Sequence, residues 1–164
     1  MPPSLDASAV LAWCRLSLQA LGRAREEIDA INVYPVADGD TGTNLYLTFE
    51  SAAQAVEAVF DAHATAAAPA TRPTLPDVLR AMSHGALIGA RGNSGTILAQ
   101  LLRGMNEAVA APVAAPADAP ERIGAAELRR ALRIAAESAY DAVARPVEGT
   151  MLTVAVGAAE AAEA

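Results

Sequence analysis

Apolar side chains recur along this chain at spacings of three and four, the repeat of one helix face. Across residues 8–30, Val10, Cys14, Ser17, Leu18 and Leu21 form one stripe, while Arg15, Arg23, Arg25 and Glu26 fall mostly elsewhere. A second stripe, Leu45, Phe49, Ala52, Val56, Val59 and Phe60, predicts a helix from about Asn44 to Ala66. Thr74 then reads as an N-cap, followed by Pro76 and Asp77 in a first turn and by Leu75, Val78, Leu79, Met82 and Ala86. A fourth helix, capped by Asn93 or Ser94, carries Ile97, Leu98, Leu101, Leu102 and Met105. A fifth runs from about Ala125 to Ala144 and stops before Pro146, and a last helical segment begins at Met151.

The interruptions are as informative as the stripes. Pro35, Gly39 and Gly42 break residues 31–43, a connection over Ala67–Pro73 closes the second helix, and residues 110–120 are an Ala/Pro linker. No stretch alternates well enough for a central strand; INVYPV comes nearest and contains a proline. The pattern predicts an all-α domain with short antiparallel connections, an arrangement that can gather alternate loops at one end.

Composition narrows the function. With 164 residues, the chain suits one domain. About a quarter of it is alanine, so the 53% hydrophobic content overstates the large apolar side chains available. A net charge of −7 with no basic run argues against a nucleic-acid surface. One cysteine, Cys14, excludes an internal disulfide framework and lies on an apolar stripe, as a packed thiol would. Neither a signal peptide nor a membrane span is recognisable, and a cytoplasmic domain is expected. The chain stops inside a continuing alanine-rich helix, which suits either a frayed natural end or a piece cut from a longer protein.

Two loops carry candidate chemistry. In PVADGDTGTN, Asp38 and Asp40 flank a glycine, so a tight bend can aim both carboxylates at one point. Two carboxylates that close repel unless a cation compensates, and Mg²⁺ commonly takes one or two carboxylates together with phosphate oxygens. The spacing fails the helix–loop–helix calcium pattern. A plain turn, with Asp40, Thr41 or Thr43 as N-cap, is the alternative. In GARGNSGT, residues 89–96, glycines and a helix start suit an anion, and Arg91 adds a mobile positive charge. This segment is neither a P-loop nor a dinucleotide fingerprint, and a glycine-rich helix junction is the alternative. Together the loops provide the minimum for a magnesium–nucleotide site.

Three stretches, NVYPVADGDTGTNLYLT (32–48), GALIGARGNSGTILAQLLRG (85–104) and AYDAVARPVEGTMLTV (139–154), resemble the signatures of the DAK2, or dihydroxyacetone-kinase L-type, nucleotide-binding domain. The resemblance covers nearly all of residues 1–164. It leans towards the N-terminal ATP-binding domain of the bacterial fatty acid kinase catalytic subunit rather than glycerone kinase. It implies an antiparallel eight-helix barrel, lacking its last helix here if the chain is a fragment, with ATP or ADP held at one end through two magnesium ions. Asp38 and Asp40 would then be magnesium ligands and the catalytic pair. Thr41, Thr43 and Asn44 would lie against the phosphates or metal shell, and Arg91, Gly92, Asn93, Ser94, Gly95 and Thr96 would hold phosphate. Gly149, Thr150 and Met151 would contribute to the nucleotide pocket. The glycerone-kinase branch has a histidine where this chain has Thr41 and a third aspartate where it has Val33. Asn32 is the nearby residue able to supply that missing metal oxygen.

In the fatty-acid-kinase reading, a separate DegV-like protein presents a fatty acid whose carboxylate is phosphorylated to an acyl phosphate. Further domains of a full-length protein would assist partner binding and turnover, and the isolated chain is expected to be weakly active or inactive. The competing readings are dihydroxyacetone phosphorylation and a non-catalytic ATP-binding regulatory domain. His63 reads as a surface residue, His84 as a minor candidate on the substrate side, and Tyr34 and Tyr46 as packing residues beside the aspartate loop.

Overall fold

The structure, a computed structural model, describes residues 4–65, 71–110 and 120–164. Six helices account for most of them: α1 (Ala7–Ile31), α2 (Thr41–Thr65), α3 (Leu75–Gly89), α4 (Gly92–Ala110), α5 (Ala125–Asp141) and α6 (Met151–Glu163). An antiparallel pair, β1 (Leu5–Asp6) and β2 (Arg122–Ile123), pairs Leu5 with Ile123 and Asp6 with Arg122. It ties the start of α1 to the start of α5. At two residues per strand, it is too short to leave an alternating signature.

The expected eight-helix barrel is not what forms. Among the described residues the fold is a bundle of six helices, and no closed eight-helix barrel is seen. Consecutive helices pack pairwise from α1 to α6, and α1 also touches α3. The first and last helices share no extensive contact that would close a ring. Between them lies an apolar groove of about 510 Å³, lined in part by Trp13, Leu21, Leu98, Leu132 and Ala155. Small side chains such as Ala20, Ala24, Ala135 and Ala158 also line it, leaving volume that larger residues would fill.

The pairings run antiparallel. On α1 and α2, Arg15 pairs with Glu57 while Gly42 lies against Arg25 and Ile28. On α4 and α5, Arg130 donates to the Ala108 carbonyl while Gly104 lies against Ala135 and Ser138. Arg133 of α5 reaches Glu163 near the end of α6. The α1–α2, α3–α4 and α5–α6 corners therefore share one end of the bundle, as the short connections predict.

The core centres on α1, α2 and α3, where Val10, Cys14, Val56, Leu75, Val78, Leu79 and Met82 are almost fully buried. Each such large side chain contributes about 1.5–3 kcal/mol by leaving water. Burial, then the nearby Glu57, pushes the Cys14 thiol up to about 11, and Sγ lies 3.8 Å from Met82 Sδ. Cys14 is thus a packed thiol.

Some helix ends differ from expectation. Thr74 caps α3 as predicted, its hydroxyl accepting from Asp77 N at 3.3 Å. Helix α2 starts at Thr41 rather than Asn44, and α5 stops at Asp141 rather than Ala144. Asn93 and Ser94 lie inside the first turn of α4, which begins at Gly92, so neither is its cap. The linker expected over 110–120 and the connection over 67–73 fall largely outside the described residues.

Candidate functional site

The α1–α2 corner is organised by two side chains of α1 and its C-terminal boundary. Asn32 Oδ1 accepts from Asp40 N (3.3 Å), Thr41 N (3.2 Å) and Thr41 Oγ1 (2.9 Å), while Asn32 Nδ2 donates to the Val36 carbonyl (2.9 Å). Asp29 accepts from Thr43 N (3.0 Å) and Thr43 Oγ1 (2.7 Å). Burial pushes the Asp29 carboxyl upward. The Thr43 hydroxyl, the Thr43 and Gly42 amides and the Arg25 charge outweigh that effect and hold it below the usual carboxylate range. The first amides of α2 are thus taken by the chain itself.

The outcome is an acidic bend. Gly39 turns with φ +64°, and Asp38 and Asp40 stand exposed on either side of it. The ion pairs of the described residues join Arg15–Glu57, Arg80–Asp77, Arg103–Glu107 and Arg133–Glu163, and leave both aspartates out. Among the described residues no group of three His, Cys, Asp or Glu side chains assembles into a metal cage. Two outward carboxylates suit Mg²⁺, which shares its coordination with water and phosphate oxygens. Asn32 fits less well as a ligand, since its oxygen already accepts three hydrogen bonds.

The α3–α4 corner is built in the opposite sense. Gly92 takes φ +58°, which lets α4 begin immediately after Arg91. Arg91 N donates to Thr48 Oγ1 (3.0 Å), Gly95 N to the Arg91 carbonyl (2.9 Å), and Thr96 Oγ1 to the Gly92 carbonyl (2.9 Å). Gly95 and Thr96 thereby serve the helix itself. The amides of Gly92, Asn93 and Ser94 have no intrahelical acceptor, as at any helix start, and lie at the positive end of the helix dipole. Gly92, Asn93 and the Arg91 side chain are exposed.

The two corners touch. Thr41 Oγ1 and Ser94 Oγ lie 3.3 Å apart, and because the Thr41 proton is committed to Asn32, Ser94 is the donor. Asn44 packs against Gly92. Acidic bend and amide-rich helix start therefore stand side by side.

The α5–α6 corner is at the same end but is satisfied locally. Thr150 caps α6 by accepting from Leu152 N (3.3 Å) and donates to the Val147 carbonyl (2.8 Å). Gly149 N donates to Thr153 Oγ1 (2.9 Å), and Met151 opens the helix half-buried. These bonds keep residues 149–151 within their own turn.

Other expectations meet mixed outcomes. Tyr46 packs against Gly22 and donates to Glu50 (3.1 Å), whereas Tyr34, expected to pack, is exposed. His63 contacts Thr71 Oγ1 at 2.7 Å, far along α2 from the bend, and His84 is exposed on α3. Sequence reasoning missed Asp29 and Thr48 altogether. The signal for Thr48 was a spacing: Thr41, Asn44 and Thr48 form a polar i, i+3, i+7 stripe on α2, whereas Asp29 lies on α1 and acts across 14 positions.

The described residues thus form an all-α bundle with an acidic bend beside an open helix start. The chain belongs to the DAK2 domain family, whose profile matches residues 35–164, and so to that family's ATP/ADP-binding domains. It is 38% identical over 159 residues to Protein YloV of Bacillus subtilis, covering 97% of this chain and 25% of that protein. It is also 39% identical over 144 residues to uncharacterized proteins of Staphylococcus saprophyticus and Staphylococcus aureus, covering 88% of this chain and 23% of each. The chain thus spans about a quarter of the length of these relatives. No helix among the described residues is long and apolar enough to cross a membrane.

Proposed function

We propose that this domain holds Mg-ATP for phosphoryl transfer to a fatty-acid carboxylate, giving an acyl phosphate and ADP. The observation that carries the reading is the contact between Thr41 and Ser94, which joins a bend suited to cations to a helix start suited to phosphate. Asp38 and Asp40 would hold magnesium, whose positive charge screens the phosphates and the approaching carboxylate. The amides of Gly92, Asn93 and Ser94 would receive phosphate oxygens, with Arg91 as a mobile counter-charge. Thr43 secures the bend through Asp29, and Gly149, Thr150 and Met151 would border the nucleotide from the third corner.

The acceptor follows from what the bend lacks. Thr41 stands where a glycerone-kinase-like bend has histidine, and Val33 where it has a third aspartate. A carboxylate is ionised at neutral pH and needs no base to become a nucleophile, whereas a hydroxyl must lose a proton. The carboxylate oxygen bonds to the γ-phosphorus as the bond to the bridging oxygen of ADP breaks. A DegV-like protein presenting the acid head-first, and further domains of a longer chain, complete this reading.

The test is acceptor choice. The natural full-length protein, given ATP, magnesium and a fatty-acid-loaded DegV-like carrier, is expected to form acyl phosphate, trapped as a hydroxamate, and to leave dihydroxyacetone unphosphorylated. Phosphorylation of dihydroxyacetone without acyl phosphate would overturn it.

A further inference from the structure

Thr48 is the one polar side chain among the buried residues described, with 0% exposure. Its hydroxyl is locked from two sides. It accepts from Arg91 N at 3.0 Å, and it occupies the space where any side chain at position 95 would begin. Thr41, Asn44 and Thr48 share one face of α2, and all three meet the start of α4: Thr41 at Ser94, Asn44 at Gly92, Thr48 at Arg91 and Gly95. Of these three α2 residues only Thr48 is itself fully buried, and its hydrogen bond to the Arg91 amide is part-buried.

We propose that Thr48 is a positioning residue that fixes the separation between the acidic bend and the open amides of α4. The role rests on the magnesium–nucleotide reading above for its consequence, but not for its geometry. One hydrogen bond anchors the last residue before α4, and Gly95 lets the helix come close enough to make it. Removing the acceptor leaves the part-buried Arg91 amide without its partner and frees the first turn of α4 to shift as that amide turns to water. Phosphate-binding amides would move with it, while the aspartates would not.

The experiment compares the wild-type chain with Thr48→Val, which keeps the shape, and Thr48→Ser, which keeps the hydroxyl. Gly95→Ala serves as a second probe, because alanine favours the helix and any loss comes from crowding Thr48. Hydrogen exchange without ligand is expected to speed up about tenfold at the Arg91 amide in Thr48→Val, with α1 core amides unchanged and Thr48→Ser near wild type. Mg-ATP affinity is expected to fall about tenfold in Thr48→Val and Gly95→Ala and to be restored in Thr48→Ser. An unchanged Arg91 amide, or wild-type affinity in both Thr48→Val and Gly95→Ala, would overturn the proposal. Absence of Mg-ATP binding in every chain, wild type included, would sink the nucleotide reading instead, and the exchange result would still decide the positioning role.

Discussion

Helices α2 and α4 begin beside each other, yet their first turns are finished in opposite ways. At α2 the chain supplies its own acceptors: Asn32 takes the Thr41 amide and Asp29 takes that of Thr43. At α4 only Arg91, before the helix, is given an acceptor, and the amides of Gly92, Asn93 and Ser94 are left to whatever binds. A capped start with two exposed carboxylates suits a cation, and an uncapped start suits an anion. Sharing one end of the bundle, they suit a ligand carrying both, and α6, capped by Thr150, shows what a start with no such assignment looks like.

The harshest way to break this contrast is to remove the carboxylates. Asp40→Ala or Asp38→Ala is expected to lower magnesium-supported ATP binding by more than about 100-fold, with helix content by circular dichroism unchanged. Retained affinity would show that the bend is only a turn. Asn32→Ala comes next: three donors lose their acceptor, the bend loosens, and Mg-ATP affinity is expected to drop about tenfold by calorimetry. A loss as large as that of Asp40→Ala would return Asn32 to the metal shell.

Asp29→Asn sharpens the contrast through stability rather than binding. It removes a charge-assisted cap worth about 1 kcal/mol. The Asp29 carboxyl is held below its unfolded value, so its contribution is fully present above the ordinary carboxylate range and is lost as pH falls through the lower folded value. Urea unfolding at neutral pH should therefore separate wild type from Asp29→Asn, and the gap should narrow below about pH 4. A gap that widened in acid would contradict the cap. The smallest effect on binding is expected from Thr150→Ala, which costs about 1 kcal/mol of stability as a lost N-cap but weakens Mg-ATP by only a few-fold. A tenfold loss there would promote the α5–α6 corner to the level of the other two.

Much of this was legible in the residues. Spacings of three and four located the first five helices, because burial of one stripe is what holds each helix in place, and the sixth was placed by its start at Met151. Thr74 marked the start of α3 correctly, since a cap acts within a few residues, whereas α5 ends at Asp141, five residues before Pro146. The start of α2 was misplaced because Asp29 acts across 14 positions and Asn32 across nine, beyond any local rule. The start of α4 was misplaced because a positive φ at Gly92 did what a side-chain cap was expected to do. The eight-helix barrel came from resemblance alone, and no apolar stripe stood behind its additional helices. The acidic bend and the glycine-rich turn could each be seen in the sequence as separate candidates; their contact through Thr41 and Ser94, and the buried support from Thr48, exist only in the fold.

The account turns on one ion linking two differently finished helix starts through a nucleotide. Titration of ATP into the chain, with magnesium and then with excess EDTA, measures that link. Binding that weakens at least tenfold when magnesium is withdrawn is the predicted result; equal affinity with and without the ion would contradict it.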